Sequence, residues 1–73
     1  MKEITFEVHE DVDGGFVAEA YLNAEEQIIT QGDSLDELKE MIIDAIECHF
    51  ENPADMPHLV RLHFTKEEVF TFA

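Results

Sequence analysis

Seventy-three residues carry 18 Asp/Glu against 4 Lys/Arg, a formal charge of −14 with His neutral. That charge disfavours nucleic acid and anionic membrane surfaces as partners and favours a basic macromolecule. With 45% apolar residues, including six Phe, the chain reads as one small folded domain spanning 1–73 rather than a disordered acidic tail.

Along the chain, Ile4, Phe6 and Val8 alternate with Thr5, Glu7 and His9, the period-two pattern of a half-buried strand. Asp13-Gly14-Gly15 is a hairpin turn signal, because Gly accepts positive φ. A second strand follows, with Phe16, Ala18, Ala20 and Leu22 alternating against Val17, Glu19 and Tyr21. A polar turn over 23–26 leads to a short third strand through Ile28, Ile29 and Thr30. Ser34 and Glu37 form an S-x-x-E capping box, and Leu35, Leu38, Ile42, Ala45, Ile46 and His49 recur at helical spacing behind it. Pro53 stops that helix near Phe50 or Glu51. Val60, Leu62 and Phe64 then alternate with Arg61 and His63, and Val69, Phe70 and Phe72 offer an extra short C-terminal strand. The expected architecture is α+β, a β-β-β-α-β two-layer sandwich.

No apolar run approaches the ~20 residues of a membrane span, and Met1-Lys2-Glu3 opens no signal-peptide core. Cys48 is the single cysteine, so no internal disulfide can form and the expected location is reducing and cytoplasmic.

The candidate chemistry is sparse. Cys48, His49, His58 and His63 lack zinc-finger spacing, and adjacent helical residues point about 100° apart. Near a helix C-terminus, with Glu47 and Glu51 close by, a Cys48 thiolate is disfavoured. Glu10, Asp11 and Asp13 lack the distal Glu of a calcium loop. No cofactor, metal or catalytic residue is expected. Two groups of helical residues stand out instead. Asp36, Glu37, Glu40, Asp44 and Glu47 line the flank opposite the apolar stripe, with Lys39 as the only helical base. They read either as a solvated face or as a docking face for a basic partner. Met41, Ile43, Cys48 and Phe50 lie off the centre of the stripe, as part of a wide core-facing surface or as a second contact surface, with Met41, Ile43 and Cys48 as the oligomer contact. The last strand is the other place for a subunit contact.

Gly14-Gly15-Phe16-Val17-Ala18, and Thr30-Gln31-Gly32-Asp33-Ser34-Leu35-Asp36-Glu37-Leu38 with the apolar helix behind it, resemble the HicB family of antitoxins over roughly residues 3–50. That family carries a glycine-bearing hairpin turn into a G-[YF]-x-A strand and a T-x-G-[DE]-[ST]-x-x-E segment at its helix start. Two departures accompany the resemblance. Leu22-Asn23-Ala24-Glu25-Glu26-Gln27 replaces the family's P-E-L-P-G-C segment, and the chain stops where many members continue into a DNA-binding domain, so operator binding is not carried over. The resemblance implies a truncated ribonuclease-H-like sheet without catalytic carboxylates, and a non-catalytic antitoxin. Its partner would be a small basic HicA-type RNA-cleaving toxin, bound without direct nucleic-acid contact. The alternative is a stand-alone homo-oligomeric domain, a homodimer or larger, that regulates or senses a ligand with no toxin partner.

Overall fold

A computed structural model describes residues 2–66 and 70–72. The chain forms β1 (Glu3–Glu10), β2 (Phe16–Tyr21), β3 (Gln27–Gly32), α1 (Leu35–His49), a single 3-10 turn over Pro53–Asp55, and β4 (Leu59–Phe64). It is a small α+β fold with one four-stranded mixed sheet and one helix, in strand order β3-β2-β1-β4.

Two hairpins set the first three strands. Gly14 and Gly15 take φ of 95° and 81° in the first turn, closed by hydrogen bonds Asp11 N–H to Gly15 O and Gly14 N–H to Asp11 O, both 3.0 Å. In the second turn the Asn23 side-chain oxygen accepts from the N–H groups of Glu25 and Glu26 at 2.8 and 3.0 Å, a side-chain mimic of a backbone turn. Both pairings are antiparallel, with Val8 opposite Ala18 and Ala20 opposite Ile28.

The helix starts where the capping box places it, with the Ser34 half of the box formed. The Ser34 side chain accepts from Glu37 N–H at 3.1 Å, and Asp36 and Glu37 occupy the first turn, where carboxylates suit the positive dipole end. It ends at His49, one residue short of the expected stop, with Phe50 extended as its C-cap. From there the chain crosses the sheet, and β4 joins the far side of β1 in parallel, with Phe6 opposite Leu62 and Val8 opposite Phe64.

One face of the sheet supplies Ile4, Phe6, Val8, Ala18, Ala20 and Ile28 to the core, and the helix adds Leu38, Ile42 and Ile46. Two members of the expected helical stripe stay outside it. Leu35 is 40% exposed and His49 is turned to the second hairpin. The helix lies over β3 and β2 and does not reach β4. The even-numbered residues of β4 therefore face the core side with little cover: Leu62 is half-buried against the core, whereas Val60 is 37% and Phe64 50% exposed. The expected extra strand is not formed at residues 70–72, which have no ladder partner among the described residues and leave Phe70 and Phe72 open to solvent; its Val69 lies outside the described residues.

Candidate functional site

The acidic flank is built by helical phase alone. At about 100° per residue, Asp36, Glu37, Glu40, Asp44 and Glu47 fall within roughly 100° of arc, with Glu40 about 160° from the buried Ile42. All five are exposed, and none takes part in an ion pair among the described residues. From Asp36 to Glu47 the array runs about 16 Å along the axis at 1.5 Å per residue. Asp36, Glu40 and Asp44 stand at i,i+4 spacing, which costs a few tenths of a kcal/mol per like-charged pair. Asp36 and Glu37 suit the first turn, but Asp44 and Glu47 lie toward the negative end of the dipole and gain nothing from the helix. Chemically it offers several acceptor oxygens and a strong negative potential to Lys and Arg side chains.

Met41, Ile43 and Cys48 do not share a face, which corrects their reading as one contact surface. Ile43 is about 160° from Met41 and about 140° from Cys48 around the helix, whereas Met41 and Cys48 lie close in phase, seven residues apart. All three are exposed. Ile43 lines an apolar groove of about 310 Å³ with Lys39, Ile42, Val60 and Leu62, between the helix and β4. The part of Lys39 in this groove escapes sequence reasoning, because helical spacing says nothing about where β4 will lie. A signal was present, however. Residues 57–66 hold none of the 18 acids.

Among the described residues no three His, Cys, Asp or Glu side chains converge to hold a metal ion. His63 Nδ1 meets Glu7 at 2.8 Å and Arg61 meets Glu3 at 3.1 Å, both on the open face across the β1–β4 ladder. His49 Nε2 lies 3.0 Å from Glu26, joining the helix C-terminus to the β2–β3 turn. The side-chain hydrogen bond from Asn23, followed by that to His49, lowers the pKa of Glu26 below the usual carboxylate range. A depressed carboxylate stabilises the fold above its unfolded pKa and loses that contribution as pH falls through its folded one. Thermal melts of wild type and Glu26→Gln across the acid range are therefore expected to show a Tm gap that narrows as pH falls; a gap independent of pH would contradict the link.

What fold and surface define is a small α+β domain with a carboxylate-lined helix over one side of a mixed sheet. The chain belongs to the UPF0150 family. It is 44% identical over 69 residues to a UPF0150 protein of Thermotoga maritima, covering 92% of this chain and 89% of that one. It is also 52% identical over 42 residues to a UPF0150 protein of Archaeoglobus fulgidus, covering 58% of this chain and 59% of that one. No family model and no solved structure matches it. Among the described residues no helix is long and apolar enough to cross a membrane.

Proposed function

We propose that this chain is a non-catalytic, HicB-like binding protein, an antitoxin that neutralises a small basic HicA-type ribonuclease. The observation that carries the reading is the row of five exposed helical carboxylates without ion-pair partners. A ribonuclease that holds phosphates must present cations, and a rigid row of carboxylates attracts the same cations and displaces RNA by competition. The helix supplies the rigidity, and the exposed apolar residues beside the row supply the contacts that set affinity. Asp36, Glu37, Glu40, Asp44 and Glu47 are the docking residues in this reading.

Stopped-flow mixing with a small basic HicA-type protein tests it. The association rate constant is expected to fall at least tenfold between 0.05 and 0.5 M salt, as for charge-steered encounters. A rate indifferent to salt removes the role of the flank. The alternative, a homo-oligomeric regulatory or ligand-sensing domain with no toxin, draws its support from the apolar groove between α1 and β4.

A further inference from the structure

The two edges of the sheet differ. The β3 edge lies beneath the helix and is flanked by Glu25, Glu26 and Asp33. No described residue pairs with the outer edge of β4, and the ten residues around it, Pro57 to Lys66, contain no acid. All four Lys/Arg of the chain gather near it. Arg61 is on β4; the Lys2 carbonyl accepts from His58 and Leu59 N–H; Lys39 lines the groove with Val60 and Leu62; Lys66 follows the strand beside Phe64. An open edge of apolar residues is a template for another strand. A basic partner is drawn to the helix flank and repelled here. A second copy meets a dense net negative charge elsewhere on the surface; on this edge the cations are partly balanced by Glu3 against Arg61, Glu7 against His63 and Glu10 beside Lys66, so the repulsion there is least.

Backbone parity then fixes how it pairs. Leu59 N–H goes to Lys2 O at 3.1 Å and Thr65 N–H to Val8 O at 2.9 Å, so the odd-numbered residues of β4 bond to β1. Along a parallel strand alternate residues turn their polar groups to opposite neighbours, which leaves the N–H and C=O groups of Val60, Leu62 and Phe64 aimed outward. Of these three, Val60 and Phe64 carry exposed apolar side chains, and Leu62 between them is half-buried against the core. We infer that β4 pairs antiparallel with β4 of a second copy about a two-fold axis at Leu62, joining two sheets into one of eight strands. Leu62 then faces Leu62 of the second copy, and Val60 faces its Phe64 at the groove mouth. Six ladder hydrogen bonds form, and Arg61 lies opposite His63. The register shifted by one step about Arg61 sets two guanidinium groups opposite each other and forms fewer bonds. The pairing leaves the acidic flank of both helices free, so it stands independently of the toxin reading.

Sedimentation equilibrium of the full chain at micromolar concentration is expected to give twice the 8.4 kDa chain mass. The dimer should tighten as salt rises, the reverse of the toxin complex, because two chains of −14 otherwise repel. Val60→Pro removes an outward N–H and no bond to β1, and is expected to give a folded monomer by circular dichroism. Independently, Leu62→Cys in a Cys48→Ala background should oxidise to a cross-linked dimer, since opposed bonded residues sit ~5.5 Å apart, within disulfide reach. Arg61→Cys in the same background should not. A monomer throughout, a dimer untouched by Val60→Pro, or cross-linking through position 61 in place of 62 overturns the inference.

Discussion

Gly32→Ala is expected to cost about 3 kcal/mol of folding free energy, at the top of the range for overpacked sites. A Cβ at Gly32 would stand 2.5 Å from the Leu38 nitrogen, 2.8 Å from its Cα and 3.0 Å from the Glu37 carbonyl carbon. Every one of these atoms is backbone, so no side chain can swing aside, and the first turns of α1 must lift off β3. Lifting them withdraws the fully buried Leu38 from the core. Gly14→Ala provides the comparison. Its Cβ meets nothing within 4 Å and it pays only for a φ of 95°, about 1–2 kcal/mol. Urea unfolding followed by far-UV circular dichroism, at one protein concentration, should rank Gly32→Ala well below Gly14→Ala. Equal midpoints would mean that the helix does not press on β3 as described.

Phe6→Ala is expected to lose about 3–5 kcal/mol. Phe6 is the largest fully buried side chain, on the strand between β2 and β4. A domain of this size has about 4–11 kcal/mol in total at 0.05–0.15 kcal/mol per residue. The variant therefore sits at the threshold of unfolding, whereas Phe6→Leu, which keeps most of the volume, should stay folded with a loss below about 1.5 kcal/mol. The same urea series reads both. A Phe6→Ala protein as stable as Phe6→Leu would place the core elsewhere.

Much of this frame is legible in local pattern. The alternation of Ile4, Phe6 and Val8 marks the face of β1 that is buried, and Ser34 with Glu37 marks the first turn of the helix. Each depends only on neighbours in the chain. What depends on distant packing is not legible. The T-x-G segment can be seen as a motif, but why residue 32 must be Gly follows only from the closeness of α1 to β3. The alternation of Val60, Leu62 and Phe64 says that they share a face. That β4 lies beyond β1, out of reach of the helix, is set by a crossover spanning the whole sheet. The flank of carboxylates was readable because it is a property of one helix. Met41, Ile43 and Cys48 were misread as one surface because distance from the stripe centre was weighed without its sign: they flank the stripe on opposite sides.

The proposed function rests on the acidic flank, and co-expression tests it most directly. A gene for a small basic HicA-type toxin would be induced with this chain or with its variant Asp36→Asn/Glu37→Gln/Glu40→Gln/Asp44→Asn/Glu47→Gln, and cell growth scored. The substitutions lie on the solvent side of α1 and leave the core residues untouched, so the variant should accumulate to the same level. The account predicts that wild type restores growth and the neutralised variant does not. Growth restored equally by both, or by neither, would contradict it.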